Sequence, residues 1–198
     1  MGTVRGLLGW RAFDLGQPRM ASMDPLRPRY SRGQRTLHWL IFACVLLAYA
    51  FINIMGWLPR GDRAQMLEAH FAAGLAVLLL IAPRLMLRLR HGAPPVTPPV
   101  PRLLHLPGQI THALLYAFLI VQPLLGLAAV ELSGHAVNLP FGLAIPLLIR
   151  PDHLALARSI KEIHVDLGDI FYWVLGLHIA AALWHHAFRG DDTLKRMV

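Results

Sequence analysis

Apolar and charged positions separate into long blocks along the chain. HWLIFACVLLAYAFINIMGW, from His38 to Trp57, runs for twenty residues without a charge, about the length that crosses a bilayer as a helix. Three further blocks follow: one from Met66 through HFAAGLAVLLLIAPRLML, then ITHALLYAFLIVQPLLGLAAV, then VDLGDIFYWVLGLHIAAALWHHAF. The pattern predicts spans at about 38–57, 66–87, 110–130 and 165–188, and hence an all-α, integral membrane four-helix bundle. Pro83 and Pro123 fall inside spans, where neighbouring helices tolerate a kink. LPFGLAIPLLI, 139–149, is apolar too, but eleven residues interrupted by prolines are too few to cross. It is expected to lie in the interface or to re-enter briefly.

Composition agrees with a membrane. Of 198 residues, 56% are hydrophobic and 15% charged, against about 25% charged in a typical soluble domain. Charge placement adds orientation. Seven Lys/Arg precede the first span, four (Arg84, Arg88, Arg90, Arg102) lie between the second and third, and three follow the fourth, whereas the other two connections hold five. By the positive-inside rule both termini are cytoplasmic. The net charge of +8 therefore calls for no nucleic acid, and is suited to anionic lipid headgroups.

Cys44 is the single cysteine, which excludes disulfides and thiolate metal sites within one chain. Residues 1–28 lack an apolar core long enough for a secretory signal. They read as a disordered cytoplasmic extension, or as sequence upstream of a true start at Met20 or Met23, and the membrane domain occupies 29–198. APPVTPPVPR, after the second span, is expected to be a stiff, extended connection on the inner side.

The eleven histidines then acquire depths. His38 opens the first span at the inner surface, and His70 stands near the outer start of the second. His164 opens the fourth span from outside; His178, fourteen residues later, lies about 21 Å further in and on nearly the same helix face. Two level pairs result, His70 with His164 outside and His38 with His178 inside. Ionisable residues within spans are costly and mark function by default.

Zinc prefers three or four protein ligands and copper(I) prefers sulfur, while each depth here offers one pair of imidazoles. A six-coordinate haem b needs that pair, because its macrocycle supplies the other four nitrogens. No C-x-x-C-H is present for covalent attachment. Gly74 and Gly168, each four residues after an outer histidine, leave room for a flat macrocycle or for close helix packing. Arg35, Arg84 and Arg88 inside, and Arg60, Arg63 and Lys161 outside, are candidates to pair with propionates or to anchor headgroups. His112 starts the third span near the depth of His38, and His185 and His186 lie beyond His178. One of these could replace His38 as ligand, or they could line a pocket below the inner site.

RYSRGQRTLHWL, LPRGD, EAHFAAG and IHVDLGDIFYWVLGLHIAAALWHHAF followed by DDTLKRM closely resemble the bacterial cytochrome b561 family of four-helix dihaem membrane cytochromes. The likeness runs over about 29–197. It implies two haem b groups, with His38 and His178 as axial ligands to the inner haem iron and His70 and His164 to the outer, and it argues against His112 as a ligand. It also implies reaction with ubiquinone near the inner haem, where His185 is the candidate residue, in a multi-pass protein of the bacterial inner membrane. The extension at the amino terminus and the loop 140–152 depart from the family pattern and leave the electron donor open.

An electron-transfer oxidoreductase is the expected function: the protein positions and tunes the redox groups, which carry the electron. Quinone reduction also needs protons, and histidine, with an unperturbed pKa of about 6.5, is suited to deliver them. Lys161 with Arg158 is expected to form a positive outer donor site that draws in a small anionic reductant such as superoxide. The same cations could instead balance Glu162 and Asp166. Two other readings are a haem-containing anchor subunit for a soluble partner enzyme and a haemless transporter using histidines for protons or metal.

Overall fold

The computed structural model describes residues 29–99, 101–148 and 153–198. The predicted extension 1–28 lies outside the described residues. Four helices follow in order: α1 (Arg32–Met55), α2 (Arg63–His91), α3 (Arg102–Leu132) and α4 (Leu154–Ala187). All four are long and apolar enough to cross a membrane.

Local chemistry sets the helix ends. The Ser31 side chain accepts from the Gln34 amide at 3.3 Å, and the Gln34 side chain accepts from the Ser31 amide at 3.1 Å. This reciprocal box satisfies two amides that the first turn leaves free. At the other end of the hairpin α2 stops at Gly92, whose φ of +66° is open to glycine at no steric cost. Except at the C-terminal ends of α1 and α4, which stop at Met55 and Ala187, the helices outrun the predicted spans, most clearly α4, which begins at Leu154 and not near 165. Its first turns carry Arg158, Lys161 and Glu162, good helix formers that an apolar window excludes.

The segment expected to lie in the interface or to re-enter briefly folds, over its described residues, into a short hairpin. Val137–Asn138 (β1) pairs antiparallel with Ala144–Ile145 (β2), with Val137 opposite Ile145, around a 3₁₀ turn at Pro140–Gly142. Pro140 and Gly142 turn the chain back on itself. Val137 is 2% exposed and the hairpin packs on α2 and α3. Glu131 receives the Leu148 amide at 2.6 Å, which ties the returning strand to the end of α3.

α1 packs chiefly on α2 and α3 on α4, with α2 and α3 joining the two halves. Seven residues return a helix to nearly the same face, and one such stripe on each helix meets in three layers. The middle layer is Val45, Val77, Leu119 and Phe171, the heart of the apolar core. Phe171 is 4% exposed and stacks on Phe118 at 5.0 Å. Seven residues to one side stand His38, Arg84, His112 and His178; seven to the other stand Ile52, His70, Gly126 and His164. The core therefore lies between two histidine layers. Leu46, Leu47, Leu79 and Trp173 are exposed, as apolar side chains facing lipid should be.

The C-terminal segment clasps the first of these ends, which is the inner end in the sense of the charge rule. Trp39 Nε1 donates to the Met197 carbonyl at 2.9 Å and Arg35 Nη1 to that of Val198 at 2.6 Å. Asp192 accepts from the Thr97 amide at 2.9 Å and pairs with Arg196 at 3.4 Å, while Arg196 also donates to the Pro94 carbonyl. The proline-rich connection is thus pinned to the end of the chain.

Candidate functional site

At the outer level the rings of His70 and His164 stand edge to face with centroids 6.3 Å apart. His70 Nδ1 lies 2.8 Å from the Ala48 carbonyl and His164 Nδ1 lies 3.0 Å from that of Gln122. A ring nitrogen bonded to a carbonyl must carry the proton, so each Nε2 keeps its lone pair. The Gln122 amide also donates to the His164 carbonyl at 3.1 Å, which holds α4 at this height. At the inner level His38 and His178 have centroids 6.4 Å apart.

These separations have chemical content. Two imidazoles sharing one metal place each nitrogen about 2 Å from it and each ring centre roughly 1 Å beyond, so the centroids are ~6 Å apart. A direct nitrogen-to-nitrogen hydrogen bond of about 2.9 Å would bring them to roughly 5 Å. Both level pairs have the wider spacing. His112, whose Nδ1 bonds the Gly108 carbonyl at 2.7 Å, comes within 5.5 Å of His178, between the two. The His112 ring belongs to the inner layer, beside the pair predicted from depth.

Among the described residues no three His, Cys, Asp or Glu side chains converge as a metal shell. A haem, which brings four nitrogen donors of its own, would need only the two imidazoles of each level. Room exists at the outer level, where a cavity of about 840 Å³ is bordered by His70, Gly74, Gly126 and His164, within the usual size of ligand sites. A Cβ on Gly74 would meet nothing within 4 Å. Gly168 borders the same cavity, and its carbonyl accepts from the Tyr49 hydroxyl at 2.8 Å. Gly126 escaped the sequence reading, although a Cβ there would stand 3.2 Å from the His164 ring. Its signal was the seven-residue register His112, Leu119, Gly126 on α3.

The predicted cations separate. Arg35 is engaged with the C-terminal segment and Arg63 with the Leu58 carbonyl at 3.0 Å. Arg84 donates to the Gln34 carbonyl at 3.1 Å and lies over the Tyr116 ring. Lys161 and Arg158 border the outer cavity and an adjoining groove of about 470 Å³ shared with Glu162 and Asp166. Cys44 packs against the core and is a free thiol.

His185, two turns beyond His178, sets Nδ1 2.5 Å from the Asp191 carboxylate, which Arg189 also approaches at 3.3 Å. Asp191 is fully buried. Burial alone would push its carboxyl up, but hydrogen bonds from His185 and from Thr193 outweigh it and hold the group below its ordinary value. Asp191 lies in a loop with no periodicity, and the sequence offered it only as the first residue of DDTLKRM, with no role attached.

Four helices long and apolar enough to cross a membrane, with imidazoles of neighbouring helices set edge to face about 6 Å apart at two levels, form the kind of site a membrane cytochrome b would use. The family model Prokaryotic cytochrome b561 matches residues 29–198. The chain is 34% identical over 174 residues to the probable superoxide oxidase CybB of Yersinia pestis, which covers 87% of this chain and 97% of that protein. It is 33% identical over 172 residues to cytochrome b561 homolog 1 of Escherichia coli (strain K12), covering 86% and 97%. The chain belongs to the prokaryotic cytochrome b561 family. It is a multi-pass bacterial membrane cytochrome that binds haem b and transfers electrons.

Proposed function

We propose that the chain carries two haem b, the outer between His70 and His164 and the inner between His38 and His178. It passes electrons from a small anionic donor, superoxide, to ubiquinone across the bacterial inner membrane. The observation that carries this reading is the equal ring separation, 6.3 and 6.4 Å, at two levels. When bound, haem supplies reversible one-electron chemistry. The protein's part is to hold the rings, exclude water from the space between the levels with the Phe118–Phe171 stack, and manage charge at both ends.

At the outer end Arg158 and Lys161 rim the cavity, and a cationic rim raises the encounter rate of an anion. Each superoxide gives up one electron and leaves as dioxygen, so two are consumed per quinone. The name of the Yersinia pestis relative supports that donor. At the inner end ubiquinone takes two electrons and two protons. His185 is suited to deliver protons because Asp191 holds Nδ1 and leaves Nε2 to the substrate, the arrangement that orients a general acid. Ubiquinone would reach it from the lipid past Trp184, whose ring stands at the edge of His185.

Purified protein mixed with a superoxide pulse and a soluble ubiquinone should show haem reduction followed by quinol formation, faster at low than at high salt. Lys161→Glu should slow the reduction. Reduction that is slow at both salts, or indifferent to Lys161→Glu, would remove the superoxide reading; absence of haem bands after expression with ample haem would remove the whole proposal.

A further inference from the structure

The two histidine layers differ in charge. In the outer one the cavity lining mixes signs, Glu68 and Asp169 against Arg158 and Lys161. In the inner one the position that α2 contributes is Arg84, fourteen residues after His70. Its guanidinium bonds a carbonyl one turn before His38 and lies over the Tyr116 ring one turn after His112, which sets it at the level of the inner histidines. Its contacts are the Gln34 carbonyl and the Tyr116 ring, and neither is an anion. One turn further on, Arg88 buries an Nη1 that has no hydrogen-bond partner. Among the described residues neither arginine forms an ion pair.

An uncompensated cation in the low-dielectric part of a membrane protein is costly. Two of them on one helix face, at the level of a close pair of imidazoles, call for negative charge supplied by what binds there. Carboxylates on the rim of a bound macrocycle answer that need, as does the electron that arrives when the group is reduced.

We propose that Arg84 is the electrostatic anchor of the inner haem: it pairs with negative charge there, stabilises the reduced form, and so makes the inner haem the stronger oxidant of the two. Arg88 reinforces it from one turn away. One electron then moves from the outer level to the inner without a proton, and the direction is built into α2 and needs no control by the donor. The inference rests on the two-haem reading above, and adds to it the residue that sets the direction of flow. Positive charge near a redox group raises its potential; in the outer layer the position α2 contributes is His70, and the cations there, Arg158 and Lys161, share the cavity lining with Glu68 and Asp169.

The test is a spectroelectrochemical titration of the purified protein, with haem counted per chain. Arg84→Gln should lower the inner haem's potential by at least a tenfold change in its reduced-to-oxidised ratio, 59 mV for one electron, and leave the outer haem in place. Arg84→Lys, which keeps the charge, should retain most of the wild-type value. A His164→Ala background, holding the inner haem alone, assigns the shifted wave. Loss of the inner haem from Arg84→Gln with retention in Arg84→Lys would equally support a charge-dependent hold. Equal shifts of both haems, no shift, or loss in both variants would overturn the role of Arg84 and leave the two-haem reading standing. Fewer than two haems in the wild-type protein would overturn both.

Discussion

An imidazole offers two nitrogens, and in the outer pair one of each is tied to a backbone carbonyl on a neighbouring helix, Ala48 for His70 and Gln122 for His164. That bond sets both the tautomer and the ring plane, so the second nitrogen is aimed before anything binds. If the level pairs are the ligand pairs, the consequences of removing them divide by level. His164→Ala and His70→Ala should each cost the outer haem and keep the inner one; His38→Ala and His178→Ala should do the reverse. His112→Ala should retain both. Haem per chain and the low-spin spectrum of each variant measure this. An inner haem that survives His38→Ala and disappears with His112→Ala would transfer the ligand role to α3.

Among the elements, the C-terminal turn after α4 has the most polar construction. Asp191 ties His185, Arg189 and the Thr193 amide together, and Asp192 ties Arg196 and the proline-rich connection. Asp191 sits below its ordinary value of 3.8, so the folded protein binds that proton less readily than the unfolded chain. Its stabilising contribution is therefore whole above 3.8 and is lost as pH falls from there through the lowered folded value. Hydrogen exchange at the Thr193 amide, corrected for its intrinsic pH dependence, should accelerate across that acidic window. Asp191→Asn should exchange faster at neutral pH and show no such step.

For the molecule as a whole, an even number of crossings puts both ends of the described chain at one end of the bundle, as the bonds from Tyr30 and Trp39 to the C-terminal segment require. Basic residues crowd that end, so the charge rule predicts that it is the cytoplasmic one. A reporter active only in the cytoplasm, fused after Val198, should be active. The same reporter inserted in the hairpin at Phe141, which is fully exposed, should be silent. The opposite pattern would exchange the donor and quinone ends and reverse the direction of electron flow argued from Arg84.

Twenty-residue apolar stretches can only be satisfied as membrane helices, so the four spans were legible from the chain alone. The depth of His38, His70, His164 and His178 was legible too, because helix rise converts spacing into height. Helix ends were less so: the first turns of α4 are polar, and hydropathy cannot see a helix that continues into water. What lies across from each residue belonged to the tertiary structure. Gly126 beneath the His164 ring, Asp191 on His185, Arg84 at the level of the inner histidines, and the hairpin folded back on α2 all depend on how helices rotate and approach one another. Periodicity orders positions along one helix; only packing decides which faces meet.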